Sequence, residues 1–243
     1  MIKVFPYNEL GYQDHGWLKA RHHFSFGSYI NPNRTEFKTL KVINDDVIAP
    51  GKGFPPHSHQ DMEIITYVRS GAITHKDDQG NEGITRAGDM QIMSAGSGIT
   101  HSEYNLEDKD TKLYQIWITP FQQNLAPRWQ THSFPKSFVK DKLHLMVSCD
   151  GFAPLFIFQN AFIYGGRMKA GAVINHTLSE DSAYALAAEG KFMLDDKKLS
   201  EGDGAEIEDQ KEIKIKAITD SEIVLIEVTS WIAIRKPLLS GNL

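Results

Sequence analysis

Apolar and polar positions alternate along this chain in short runs, and turn-forming residues separate the runs nearly everywhere. Leu40–Ile43, Glu63–Val68, Met90–Met93, Tyr114–Ile118, Leu143–Val147, Phe156–Phe158, Ile213–Ile218 and Ile223–Val228 have the length and residue types of strands that bury at least one face. Between them fall Gly, Asn and Asp, as in Asp77-Asp78-Gln79-Gly80-Asn81, residues that tolerate tight turns. Apolar residues at helical spacing are scarce. The pattern predicts an all-β sandwich or barrel with little helix.

Pro120, Pro127 and Pro135 fall between strand-like segments and mark a boundary around residues 120–140. A faint repeat spans it. Gly71, a β-like segment, a turn and Gly88-Asp89 are echoed by Gly190, Lys191–Leu194, a turn at Asp195-Asp196 and Gly202-Asp203. Glycine supplies positive φ in such turns, and aspartate accepts backbone hydrogen bonds. The expectation is two stacked barrels, residues 1–130 and 131–243, of which the second has lost any site.

Composition narrows the function. The chain has 243 residues, enough for two compact domains, and 41% of them are hydrophobic and 23% charged. Its net charge of −5 is spread along the length without a basic stripe, which argues against direct nucleic-acid binding. One cysteine, Cys149, excludes an intrachain disulfide, and a buried or bystander thiol is its expected state. The N-terminus lacks a signal-peptide pattern, and no apolar run approaches the roughly 20 residues that span a bilayer. A cytoplasmic address and no membrane contact are expected.

The chemistry concentrates in two tripeptides. His57-Ser58-His59 places imidazoles at i and i+2, which share a face in an extended chain. His101-Ser102-Glu103 does the same with an imidazole and a carboxylate. On neighbouring strands they would gather three nitrogens and one oxygen, a set suited to one divalent first-row cation: Fe, Mn, Ni, Co, Cu or Zn. Without thiolates, and with positions left open, such a site reads as catalytic more than structural. Glu63 competes with Glu103 for the fourth position, because a continuous strand would put it on the face of His59. The pairing within His101-Ser102-Glu103 favours Glu103, leaving Glu63 to orient an imidazole or to act as general base. His15, His22, His23, His75, His132, His144 and His176 are expected to be non-ligating.

These residues resemble the pirin family of the cupin superfamily. The first cupin motif, G-x5-H-x-H-x3–4-E-x6-G, reads Gly51, His57, His59 and Glu63, with Gly71 one residue late. The second departs from the general cupin form and is similar to the pirin version, Q-x-M-x-A-G-x-G-I-x-H-x-E, at Gln91, Met93, Ala95, Gly96, Gly98, Ile99, His101 and Glu103. The match is dense over residues 1–120 and thinner beyond; where relatives carry an I-H-Q-D segment, this chain has Ile157-Phe158-Gln159-Asn160. The resemblance implies an all-β bicupin and a metal, iron first, held by His57, His59, His101 and Glu103.

The resemblance also implies a quercetin 2,3-dioxygenase activity, in which O2 opens a flavonol ring and carbon monoxide is released. Glu103 or Glu63 would then take the flavonol 3-hydroxyl proton. Phe24, Phe26, Phe54, Met62, Met93 and Ile99 lie in or beside the motifs and are the candidate apolar slot for a flat aromatic substrate. The rival is a non-catalytic metal-binding redox sensor that regulates a protein partner; a third reading is a relic holding metal without turnover. An open site favours the enzyme, a closed one the sensor. A monomer is expected, with the apolar tail Trp231–Leu243 packing back or meeting a partner.

Overall fold

The computed structural model describes residues 1–230, so the expectation for Trp231–Leu243 lies outside the described residues. Among these, one short 3-10 turn, Tyr7–Glu9, is the only helical element; the ordered remainder is strand. Among the described residues, no helix is long and apolar enough to cross a membrane.

The strands of the described residues form four sheets, in seven-, four-, eight- and four-stranded sets. The seven-stranded sheet runs, in hydrogen-bonded order, Arg128–His132, Met90–Ser94, Glu63–Ser70, Thr111–Ile118, Leu40–Ile48, Leu18–His22, Gly11–Asp14. Across from it lies the four-stranded sheet Gly53–His59, Ile99–Tyr104, Ala72–Asp77, Glu82–Arg86. Residues of both meet in two apolar clusters, one holding Ile48, Val68, Ile73 and Leu113, the other Ile64, Met93 and Ile99. The second half repeats the plan, its eight-stranded sheet sharing a core of Ala185, Phe192, Ile213, Ile215 and Leu225 with its own four-stranded sheet. The ladders leave four separate sheets, so each barrel is a flattened sandwich and not a closed cylinder.

The two large sheets face each other. Ile43, Ile65, Ile92 and Ile116 from one meet Ile163, Leu186, Val224 and Ile226 from the other in a single cluster of fully buried residues. Each such side chain removed from water contributes about 1.5–3 kcal/mol. Arg69 ties the halves together: it donates to both carboxylate oxygens of Asp45, to the Ala188 carbonyl and to Glu201. The first strand, Ile2–Phe5, crosses over to pair with Gly204–Glu208 of the second half.

The internal repeat is visible in the backbone. Gly71, Gly88, Gly190 and Gly202 all have φ between +73° and +85°. Gly88 N–H donates to the Val68 carbonyl, as Gly202 N–H does to that of Ala187. The Asp89 carboxylate accepts from Phe134 N–H and Ser133, and that of Asp203 from Tyr7 N–H and Ser200 N–H.

Candidate metal centre

The edge strand Gly53–His59 pairs antiparallel with Ile99–Tyr104, setting His57 opposite His101 and His59 opposite Ile99. Ile99, His101 and Glu103 are buried and alternate with half-buried Thr100, Ser102 and Tyr104, the period of an extended strand. Between His101 and Glu103 the register slips, because the stretch from His57 back to Phe54 holds one extra residue. Pro55 and Pro56 occupy that bulge, where their missing N–H groups cost no ladder bonds. A side chain at Gly53 would strike the Glu103 carbonyl, so glycine is what allows this approach.

The donor atoms of His57, His59 and His101 lie within 4.8 Å of one another, and so do those of His75, His101 and Glu103. His57 Nδ1 sits 2.8 Å from the Pro55 carbonyl, which only accepts; Nδ1 therefore carries hydrogen, which makes Nε2 the nitrogen available to a ligand. Burial first, then neighbouring His57, lowers His59 to about 4. Burial, then His57, His59 and His75, lowers His101 to about 2. Both rings are therefore neutral at pH 7. His101 Nε2 is buried without a hydrogen-bond partner. A buried bare nitrogen among imidazoles, with a carboxylate nearby, fits a first-row cation.

Glu103 is 3% exposed, and its Oε1 accepts from Gln91 Nε2 (2.5 Å) and Thr66 Oγ1 (3.2 Å). Burial raises its carboxyl to about 7, and these two bonds work against the rise. Thr85 Oγ1 in turn donates to Gln91 Oε1, so the amide is oriented from behind. His57 and His59 are half-buried, which gives the cluster one solvent-facing side. Trp117 meets His59 edge-on at 4.9 Å.

Glu63 stands apart from this cluster. The strand ends at His59, Asp61 takes a positive φ of 48°, and Glu63 begins a strand of the other sheet. The parity that would align it with His59 does not survive that crossing. Glu63 Oε2 accepts from Ser94 Oγ (2.9 Å) and Phe158 N–H (3.3 Å), towards the second half. Burial raises it to about 7, against the two hydrogen bonds and the Arg128 charge.

The six candidate slot residues separate into three groups. Phe24 lies between the halves, 5.5 Å from the Tyr184 ring, and does not reach the cluster. Met62, Met93 and Ile99 pack together with Trp117 and Trp129. Phe54, 6.2 Å from the His57 ring, and Phe26, 5.4 Å from Trp117, line a cavity of about 60 Å³ with Asp46 and Gln115.

Sequence reasoning left His75 without a partner, yet its Nε2 lies 3.0 Å from Asp77 Oδ2 and its ring stacks on Trp129 at 4.8 Å. His75-Lys76-Asp77 carries the same i, i+2 spacing as the two tripeptides, so the signal was present. The role of Gln91 was not read, although the residue stands in the motif. Cys149 is half-buried in the second half, where burial pushes its thiol up.

In the second half, the register sets Ile213 opposite His176, as His101 is opposite His57. Ile215 faces Leu194 where Glu103 faces His75. Isoleucines of the buried core thus occupy the places of His101 and Glu103, and His176 bonds instead to Glu227 at 2.8 Å.

Comparison with known proteins finds relatives for both halves. The Pirin family model matches residues 4–118, and the model for the quercetinase C-terminal cupin domain matches residues 145–228. A pirin-like protein of Caulobacter vibrioides is 49% identical over 230 residues, covering 93% of this chain and 99% of that protein. A quercetin 2,3-dioxygenase of Escherichia coli K12 is 39% identical over 230 residues, covering 94% and 99%. The crystal structure of the bacterial pirin YhhW of Escherichia coli in complex with nickel(II) has a TM-score of 0.88 at 38% identity, covering 95% of this chain and 100% of that one. At such identity and coverage over both halves, the chain belongs to the pirin family.

Proposed function

We propose that this pirin is a metal-dependent dioxygenase acting on flavonols such as quercetin, with one divalent transition metal held by His57, His59, His101 and Glu103. The observation that carries the reading is the gathering of three imidazoles beside a buried carboxylate, with His101 Nε2 buried and unpartnered. The names of the Escherichia coli relative and of the nickel-bound pirin support it. Imidazole and carboxylate donors admit most of the first-row series; iron is the proposed native metal. When bound, the ion supplies a Lewis acid and a template for substrate and O2.

The half-buried His57 and His59 form the side from which substrate arrives, and Phe54 and Phe26 give that side an apolar rim. Glu103, steadied by Gln91 and Thr66, is the carboxylate of the cluster and the group placed to take the 3-hydroxyl proton. Residues 1–130 carry the site, and the described part of residues 131–243 braces it through the shared core, with one chain as the proposed working unit.

The test is to purify the protein without chelator, measure its metals by elemental mass spectrometry, and follow quercetin loss and O2 uptake in the same sample. Near-stoichiometric metal with turnover that disappears in His57→Ala and Glu103→Ala is expected. Metal without turnover after reconstitution with Fe, Mn, Ni, Co and Cu would transfer the assignment to a metal-holding regulator.

A further inference from the structure

Behind His101, on the side away from His57, lie two groups that form a chain with it. Asp77 and His75 have no side-chain exposure, and Asp77 Oδ2 is 3.0 Å from His75 Nε2. His75 Nδ1 is 3.4 Å from His101 Nδ1. Asp77 is itself immobilised: Oδ1 accepts the backbone N–H groups of Gln79 (3.0 Å) and Asn81 (2.9 Å), and Oδ2 accepts from Asn81 Nδ2 (2.9 Å). The Trp129 indole lies parallel to the His75 ring, with 6° between planes, and holds its orientation.

Proton counting along this chain has one solution. A carboxylate only accepts, so His75 Nε2 carries hydrogen, and in a neutral imidazole His75 Nδ1 is then bare. A bare Nδ1 needs a donor, and the atom facing it is His101 Nδ1, which must therefore be protonated. In a neutral imidazole that leaves His101 Nε2 as a lone pair, and this is the buried atom without a partner. Both nitrogens of His75 are engaged, which disfavours His75 as a ligand despite its proximity to His101 and Glu103.

We infer that Asp77 and His75 are positioning residues that lock His101 in its Nδ1–H tautomer and so present Nε2 to the metal. The inference rests on the metal site proposed above and adds two residues to it. Outer hydrogen-bond partners of this kind fix both the tautomer and the orientation of a ligating ring.

Asp77→Asn inverts the pattern with almost no change in volume. The two backbone N–H donors and Asn81 Nδ2, which also reaches Oδ1 at 3.2 Å, keep the amide oxygen at the Oδ1 place, so the NH2 group falls opposite His75 Nε2 and donates to it. His75 then carries its hydrogen on Nδ1, and His101 is driven to Nε2–H, which blocks the lone pair. The tautomer of each histidine is read in metal-free, 15N-labelled protein by long-range 1H–15N NMR, and nickel(II) affinity by competition with a chelator.

The expected result is Nδ1–H at His101 in the wild type, Nε2–H in Asp77→Asn, and a 10–100-fold weaker nickel affinity in the variant. Nε2–H at His101 in the wild type overturns the inference, and this measurement needs no variant to fold. An unchanged tautomer in Asp77→Asn, with affinity within about twofold of wild type, overturns it too. A wild type that binds no nickel brings down the metal reading instead, while the tautomers still decide the relay.

Discussion

His57 and His101 stand directly opposite each other on neighbouring antiparallel strands, with ring centroids 4.4 Å apart. The matching pair in the second half is His176 and Ile213, and His176 is held by Glu227. Metal binding should therefore respond to one half only. His101→Ala should weaken nickel(II) affinity by more than about 100-fold, beyond what loss of an outer partner produces. His176→Ala should leave the metal content unchanged in elemental analysis, whatever it does to stability. Equal losses in the two variants would show that the register-based distinction between the halves is false.

Gln91 is the amide that grips Glu103 at 2.5 Å while Thr85 holds its other end. Gln91→Leu keeps the volume and removes the donor. The carboxylate should then swing more freely, and metal affinity should fall about tenfold with the fold intact, as found when the support of a ligand is removed. Circular dichroism alongside a chelator competition checks both halves of the expectation; affinity equal to wild type refutes it.

Glu63 gives the protein a stability that depends on pH. Its folded value is about 7 against an ordinary 4.5, so the folded state binds this proton more tightly than the unfolded state. That contribution is complete below about 4.5 and is lost as pH rises through about 7, a change of about 3 kcal/mol. Glu103 and Glu222, also raised to about 7 by burial, act in the same direction. Glu63→Gln removes one share. In urea unfolding of metal-free protein, its stability relative to wild type should improve steadily from pH 5 to pH 8. A difference independent of pH would contradict the assignment.

Arg69 reaches across the two halves, and its side chain is 8% exposed beside an Asp45 side chain at 3%. Burial raises the Asp45 carboxyl and Arg69 opposes that rise. Arg69→Met would strand a buried charge and cut the bonds to Ala188 and Glu201. Unfolding free energy should drop by about 3–5 kcal/mol, the usual consequence of breaking one side of a buried pair. Asp45→Asn combined with Arg69→Met should recover part of that loss; no recovery would mean that the cost lies in packing.

Much of the site is legible in the chain because two of its parts are local. Side chains at i and i+2 share a face wherever the backbone is extended, so parity alone pairs His57 with His59 and His101 with Glu103. The alternation of apolar and polar residues also carried the all-β class, and the glycines at 71, 88, 190 and 202 carried the repeat. His75 and Asp77 obey the same parity, but a histidine beside an acid is ordinary until the fold shows that it faces His101 of the cluster.

Where the chain changes sheets, local parity stops informing. Glu63 lies four residues after His59 in sequence, yet Asp61 turns the backbone and the next strand joins the opposite layer. Phe24 and Phe26 differ by two residues and end in separate environments, one between the halves and one beside Trp117.

The sequence by itself determined the class of the fold, the position of the two donor pairs and the chemistry they offer, since all three follow from residue type and a two-residue period. Only the tertiary structure decided that His57 meets His101, that Gln91 and Thr66 hold Glu103, and that Ile2–Phe5 completes the sheet of the other half. Those are choices of neighbour between distant segments. They are set by which faces bury together, a property of the whole packed chain and of no single stretch of it.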